Sequence, residues 1–156
     1  MDLKQLYQDI ILEHGKSPRN LGKCDGYSHE AKGYNPLCGD LVQIYLKLNV
    51  EKKVEDLTFE GNGCAISMAS ASIMTDLVKG KSCDVAKKII DMFLKMIKSN
   101  TEIKSDDLDD DQKIKIMSFS GVKQFPMRVK CATLSWHTLI SAMEGKKEEV
   151  NTEVVD

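Results

Sequence analysis

The chain has 156 residues, of which 42% are hydrophobic and 29% charged, a composition typical of one ordinary globular domain. Its 22 Lys and Arg residues nearly balance 24 Asp and Glu residues. The sequence lacks a basic patch with interleaved aromatic residues, which would indicate nucleic-acid binding. The sequence contains no run of roughly 18 apolar residues, so no membrane span is predicted. The N-terminus does not have the pattern of a signal peptide. We therefore expect a cytoplasmic protein with neither nucleic acid nor membrane as a partner.

The N-terminal part of the chain predicts one helix followed by an irregular segment. Apolar residues recur at helical spacing over residues 3–14, which indicates an amphipathic helix. Asp2 can cap the start of this helix, and Gly15 can end it. Residues 21–40 are rich in Gly, Asn, Pro and Asp, so they are predicted to be mostly loop, with a weak strand signal over residues 26–31.

The middle of the chain predicts a β-hairpin followed by two helices. Apolar and polar residues alternate over residues 44–50 and again over 54–59, which indicates two antiparallel strands. The glycines of residues 61–63 are expected to break the second strand. Residues 64–78 lack Pro and Gly and predict a helix of small side chains, after which Ser82 caps a strongly amphipathic helix.

The C-terminal third predicts a polar loop, a final helix and a tail. Residues 99–113 are polar and acidic, so we expect a solvated segment, with a short helix after Ser105. Pro126 is expected to interrupt the next apolar stretch, and the final helix is predicted to run from Cys131 to about residue 143. Residues 146–156 are predicted to be a charged, flexible tail. The whole pattern predicts one α+β domain.

The five cysteines are the main candidates for chemistry. An odd number of cysteines at wide spacing is a poor disulfide framework, and reduced thiols more often serve metals or catalysis. Three of them lie in predicted loops or helix starts beside glycine or cationic residues, which favours the thiolate. These three are Cys38, Cys64 and Cys131, whereas Cys24 and Cys83 are interpreted as ordinary buried thiols.

A shared metal site is one interpretation of these three cysteines. Gly39 allows a sharp turn, so that Cys38 and Asp40 can face one point. Three thiolates and one carboxylate would supply the four tetrahedral ligands that suit zinc. The spacing matches no paired-cysteine metal knuckle, so the residues alone leave open the alternative that each cysteine is a small buried hydrophobe.

Three cysteine motifs together resemble the IscU/NifU-like family of iron–sulfur cluster assembly proteins. They are Asn35–Asp40, Gly63–Ser67 with the small residues 69–72 after it, and Cys131 before the last helix. The resemblance runs from about residue 3 to residue 143 and implies a single domain over residues 1–145. It also implies a small antiparallel sheet of about three strands packed against about five helices, in the manner of SufE and NifU.

Within that family the chain looks most like the SufU branch. The stretch between the second and third cysteine motifs is long, and Lys130 stands where IscU-type scaffolds carry His. The resemblance implies a zinc-dependent sulfurtransferase in which Cys38 accepts persulfide sulfur from a PLP-dependent, SufS-like cysteine desulfurase. Downstream SUF scaffold proteins would then receive the sulfur. The implied zinc ligands are Cys38, Asp40, Cys64 and Cys131, with Arg128 in a supporting role.

Two other functions remain open at the level of sequence. In the first, the same four residues hold iron, and the protein is a scaffold that assembles a 2Fe–2S cluster. In the second, zinc has only a structural role and stabilises the fold, although a chain of 156 residues can bury a core without a metal.

Overall fold

The computed structural model describes residues 2–99 and 102–154 and has an α+β architecture. Within these residues the chain forms five α-helices, a short 3-10 helix and one four-stranded sheet. In chain order the elements are α1 (Leu3–Lys16), β1 (His29–Asn35), β2 (Asp40–Leu48), β3 (Val54–Asn62), α2 (Ala65–Val78), α3 (Cys83–Ser99), α4 (Asp110–Met117), the 3-10 helix Ser120–Gln124, α5 (Pro126–Met143) and β4 (Val150–Asn151).

The sheet has the strand order β3-β2-β1-β4. The predicted β2–β3 hairpin is present, and β1 pairs antiparallel with β2. The short strand β4 pairs parallel with β1, with Val150 opposite Gly33 and Asn151 opposite Tyr34. The sheet is therefore mixed and has one strand more than the expected three, while the α+β class predicted from the sequence is confirmed.

Strand β1 lies within the segment that was predicted to be mostly loop. Its inward-facing residues Ala31, Gly33 and Asn35 are small or polar, so the usual apolar alternation of a strand is missing. The small size is required because α5 lies directly on the strand. A Cβ atom at Gly33 would come 2.1 Å from Thr138 Oγ1.

The core lies between the sheet and the helices α2, α3 and α5. The rings of Phe93 and Trp136 stack with their centroids 4.0 Å apart, and Phe119 meets Phe93 edge-on at 5.7 Å. The Ser70 hydroxyl of α2 donates to the Ala132 carbonyl oxygen of α5 and accepts the indole N–H of Trp136. This packing holds α2 and the first half of α5 in fixed positions relative to each other.

Several predicted boundaries move for identifiable physical reasons. Asp2 caps α1 as expected, but α1 continues past Gly15 to Lys16. Gly15 instead allows close packing, since a Cβ atom there would lie 3.1 Å from the Ala65 carbonyl oxygen. Strand β3 continues through Asn62 because its residues still pair with β2 as far as Leu41.

The predicted start of the final helix was wrong. Helix α5 begins at Pro126, because proline lacks the N–H that a first helical residue leaves unbonded. Pro126 therefore starts the helix rather than interrupting it, and Cys131 lies in the second turn.

The polar segment 99–113 is more ordered than a solvated loop. A capping box between Asp109 and Gln112 begins α4, and Ile103 and Leu108 are buried in the core. Asn100 and Thr101 lie outside the described residues. Over residues 2–99 and 102–154, the structure has no helix that is both long and apolar enough to cross a bilayer.

Residues 150–152 are also attached to the fold, in contrast to the flexible tail expected over residues 146–156. Val150–Asn151 forms β4, and Thr152 is only 2% exposed. The amide of Thr152 donates to the carbonyl oxygen of Tyr34 at 3.1 Å, which continues the pairing with β1. The charged residues before β4 gave no indication of this in the sequence, because a two-residue strand has no measurable periodicity.

Candidate metal centre

Three of the residues identified from the sequence meet at one point in the structure. The Sγ atoms of Cys38 and Cys131 and a carboxylate oxygen of Asp40 all lie within 4.8 Å of one another. Cys38 lies in the β1–β2 turn and Asp40 is the first residue of β2, whereas Cys131 comes from α5. The cluster therefore joins the sheet to the last helix.

The β1–β2 turn places Cys38 at the edge of this cluster. Gly39 has a φ of +71°, which is a left-handed conformation that glycine adopts without strain, and its amide donates to the Asn35 carbonyl oxygen at 2.8 Å. Cys38 is half-buried, and its Sγ atom lies 3.2 Å from that of Cys131. Cys38 is therefore a thiol of this cluster that a partner protein can reach.

Asp40 is fully buried and connects the turn to the start of α2. Its Oδ1 atom accepts the backbone N–H of Cys64 at 2.9 Å, and its Oδ2 atom accepts an N–H of the Asn35 side chain at 3.0 Å. The approach requires glycine at position 63, since a Cβ atom there would be 2.4 Å from Asp40 Oδ1. A buried carboxylate held by two donors is fixed in position and offers oxygens that can bind a cation.

Cys64 lies beside the three clustered residues. It is the N-cap of α2, where its Sγ atom accepts the Ser67 N–H at 3.5 Å. A hydrogen bond from the Cys131 thiol lowers the pKa of Cys64 to about 6, against desolvation that raises it. The sequence-based expectation of a thiolate at a helix start agrees with this direction.

The electrostatic expectation for Cys131 was wrong. This residue was expected at a helix start with a lowered pKa, but it is fully buried in the second turn of α5. The hydrogen bond to Cys64 and burial raise the pKa of the Cys131 thiol, and hydrogen bonds to Cys38 and Asp40 act in the same direction. Without a metal, Cys131 is therefore the thiol of this pair that keeps its proton, and Cys64 is the thiolate.

The two cations near Cys131 have different roles. Arg128 Nη1 lies 4.0 Å from Cys38 Sγ, so its guanidinium can stabilise a thiolate at that position. Lys130 instead forms an ion pair with Glu153, with Nζ 2.9 Å from the carboxylate. Of these two cations, only Arg128 therefore lies where its charge can favour a thiolate of the cluster.

Sequence reasoning did not assign a role to Asn35 or Thr152. The Asn35 side chain donates to Asp40 and, at 3.4 Å, to the Sγ atom of Cys131, and it accepts the Thr152 hydroxyl at 2.9 Å. Asn35 could have been singled out because it precedes Pro36 in the Cys38 motif. No sequence signal pointed to Thr152, because its contact with Asn35 depends on how β4 pairs with β1.

The chemistry of the clustered donors fits zinc. Zn–S bonds of about 2.3 Å place two ligand atoms of one tetrahedral ion about 3.8 Å apart. The spread of up to 4.8 Å among the Cys38, Asp40 and Cys131 donor atoms is close to that spacing. Cys64 lies outside this group of three, and its sulfur is the neighbouring donor that would complete a set of four.

The remaining cysteines lie elsewhere. Cys24 is buried, with its Sγ atom 4.0 Å from the Tyr45 carbonyl oxygen, and Cys83 is the first residue of α3. Their positions agree with the interpretation that neither takes part in the candidate metal centre.

Comparison with known proteins identifies the family. A model of the NifU-like N-terminal domain matches residues 6–132. The chain belongs to this family. Two relatives in it carry different functional names. The zinc-dependent sulfurtransferase SufU of Bacillus subtilis (strain 168) is 43% identical over 138 residues, which cover 88% of this chain and 89% of the relative. The iron–sulfur cluster assembly scaffold protein IscU of Streptococcus pyogenes serotype M1 is 37% identical over 142 residues, which cover 91% and 85%.

This chain has the same fold as solved structures of similar proteins. A crystal structure from the thermophile Fervidobacterium islandicum AW-1, described as a candidate iron–sulfur cluster assembly scaffold for the SUF system, superposes with a TM-score of 0.77 at 33% identity. The alignment covers 89% of this chain and 97% of that chain.

Proposed function

We propose that this chain acts in iron–sulfur cluster assembly as a zinc-dependent sulfurtransferase. In this role Cys38 accepts the outer sulfur of a persulfide from a PLP-dependent, SufS-like cysteine desulfurase, and the sulfur then passes to a downstream scaffold protein. Family membership and the relatives named SufU and IscU support the assembly role. The environment of Cys38 supports the choice of sulfur transfer.

The observation that carries the proposal is a half-buried Cys38 thiol beside a cation. Arg128 Nη1 lies 4.0 Å from the Cys38 sulfur, whereas Cys131 and Asp40 are fully buried behind it. In the transfer step the Cys38 thiolate attacks the outer sulfur of the desulfurase persulfide and forms a new S–S bond. The S–S bond in the desulfurase breaks, the desulfurase cysteine leaves as a thiolate, and Cys38 carries the persulfide.

Zinc would be held by Cys38, Asp40, Cys64 and Cys131. When bound, zinc keeps coordinating thiols deprotonated at neutral pH and restrains their reactivity. The buried Asp40 fixes the turn that carries Cys38, because its two oxygens are bonded to Asn35 and to the Cys64 amide. Arg128 stabilises negative charge on Cys38 when that thiolate is exposed for attack.

A scaffold function is the second candidate, because the IscU relative covers nearly the same part of the chain as the SufU relative. The same four residues would then hold the iron of a 2Fe–2S cluster. Lys130 argues against this alternative. It stands at the position where IscU-type scaffolds carry His, and its ammonium group is paired with Glu153.

The test combines metal analysis with desulfurase turnover. We expect one zinc per chain, no visible absorbance, and a large increase in desulfurase rate that Cys38→Ser abolishes. Cys24→Ser and Cys83→Ser are the matched controls and should behave as the unsubstituted chain does. Iron and sulfide with visible absorbance and little effect on desulfurase turnover would establish the scaffold function instead. Loss of activity in Cys24→Ser but not in Cys38→Ser would show that the acceptor is wrongly assigned.

A further inference from the structure

The end of the chain reaches the candidate metal centre through one buried side chain. Thr152 is 2% exposed, and its hydroxyl donates to Asn35 Oδ1 at 2.9 Å. The other end of the same amide donates to Asp40 Oδ2 at 3.0 Å and to Cys131 Sγ at 3.4 Å. Asn35 is itself fully buried.

The Asn35 amide has one orientation that satisfies the groups on both of its sides. An Asn side chain has two N–H donors on its nitrogen and only acceptor positions on its oxygen, whereas a threonine hydroxyl can donate or accept. The Asp40 carboxylate accepts an Asn35 N–H and so keeps the nitrogen on the side of Asp40 and Cys131. Oδ1 then faces Thr152, whose hydroxyl supplies the hydrogen bond that this buried oxygen accepts.

Three further contacts of Thr152 and Glu153 hold this segment in place. Its amide donates to the Tyr34 carbonyl oxygen at 3.1 Å, next to the β4–β1 pairing. Glu153 pairs with Lys130 of α5 at 2.9 Å, and its amide is bonded to Asn151 Oδ1 at 2.8 Å. Strand β4 is thus fixed on one side to β1 and on the other to the helix that carries Cys131.

We propose that Thr152 is a positioning residue for the metal centre, and that β4 thereby supports the ligands Asp40 and Cys131 through Asn35. This inference rests on the metal site of the proposed function and adds a residue to it. Thr152 lies outside residues 6–132, the part of the chain that matches the family model. When a side chain that orients a metal ligand through a hydrogen bond is removed, metal affinity typically falls by about 10–100-fold.

The test uses three variants of the full chain. Thr152→Val keeps the shape and removes the hydroxyl, whereas Thr152→Ser keeps the hydroxyl. Thr138→Val is the matched control, since Thr138 is fully buried but donates only to the Leu134 carbonyl oxygen of its own helix. Zinc affinity is measured by competition with a chromophoric chelator, and the absorption bands of the Co²⁺-loaded proteins report ligand geometry.

We expect Thr152→Val to bind zinc about tenfold more weakly and to shift the Co²⁺ bands, with Thr152→Ser and Thr138→Val close to the unsubstituted chain. Asn35→Asp tests the same connection from its other end, because it keeps the acceptor for Thr152 and loses both donors. It should weaken zinc binding at least as much. Unchanged affinity in Thr152→Val, or equal weakening in Thr152→Ser or Thr138→Val, would overturn the role of Thr152.

A metal-free readout separates this inference from the proposed function. Iodoacetamide labelling of Cys131, followed by mass spectrometry on the zinc-free proteins, should be several-fold faster in Thr152→Val than in Thr152→Ser. If the unsubstituted chain binds no zinc, the proposed function fails, and the labelling rates still decide whether Thr152 positions the thiol. Equal rates in both variants would refute the positioning role whether or not zinc binds.

Discussion

At the scale of single residues, Asp40 organises the candidate metal centre. Both of its carboxylate oxygens are used, one by the Cys64 amide and one by the Asn35 side chain. The carboxylate therefore connects the turn that carries Cys38 with the helix start that carries Cys64. Gly63 is the position that leaves room for it.

Gly63→Ala is expected to displace the Asp40 carboxylate. The added Cβ atom would lie 2.4 Å from Oδ1, which is too close for any real contact. We expect zinc affinity to fall about tenfold or more, because a ligand and its hydrogen bonds are misplaced together. Gly121→Ala is the control, since a Cβ atom there meets open space and neither glycine has a left-handed φ. Equal zinc affinity in both variants, measured by chelator competition, would show that Asp40 does not need this space.

At the scale of elements, the site depends on how closely α5 lies on β1. Helix α5 carries Cys131 and Arg128, and β1 carries Asn35 at its end. The contact between the two elements is closest at Gly33, where Thr138 Oγ1 and Leu134 Cδ1 would lie 2.1 and 2.9 Å from an added Cβ atom. The short distance between β1 and α5 therefore depends on the absence of a side chain at Gly33.

Gly33→Ala is expected to destabilise the fold by forcing α5 away from β1. Overpacking in a filled core costs typically about 1–3 kcal/mol, so thermal unfolding should occur at a lower temperature. Adding Thr138→Ala removes the nearest clashing atom and should restore part of the loss. Thr138→Ala alone is the control that measures the cost of the lost threonine. Independent, additive losses in the double variant would contradict a direct clash between the two positions.

At the scale of the whole molecule, the candidate metal centre joins distant parts of the chain. The turn at residues 36–39, the start of α2 and the second turn of α5 meet there, and β4 supports them from the end of the chain. A ligand that binds only to this folded arrangement must stabilise the folded state by mass action.

Removal of zinc should therefore lower the melting temperature. At free zinc about 100-fold above the dissociation constant, binding contributes about 2.7 kcal/mol. For a chain of this size, that corresponds to a shift of about 5–10 °C. Scanning calorimetry with and without a chelator measures the shift, which should persist in Cys24→Ser and shrink strongly in Cys131→Ser. The same shift in both variants would place the bound zinc elsewhere.

Much of the fold could be predicted because local periodicity is strong in most elements. Apolar residues recur at helical spacing through α1 and α3 and alternate with polar residues through β2 and β3. Each pattern spans many residues, so a single tertiary contact does not change the type of element that it predicts. Strand β1 escaped prediction because its inward residues are small or polar, as the packing of α5 requires. The start of α5 was misplaced because proline is equally suited to end a helix and to begin one.

The α+β class, the family and the cysteines worth testing could be read from the amino-acid sequence, because ordered motifs and periodic patterns are local properties of a chain. The three-dimensional fold was needed to show that Cys38, Asp40 and Cys131 meet, that Cys131 is buried with a raised pKa, and that Lys130 pairs with Glu153. It also brought Thr152 to Asn35, 117 positions apart in the chain. Burial, ion pairing and contact across the sheet depend on what lies opposite each residue, and no local pattern contains that information.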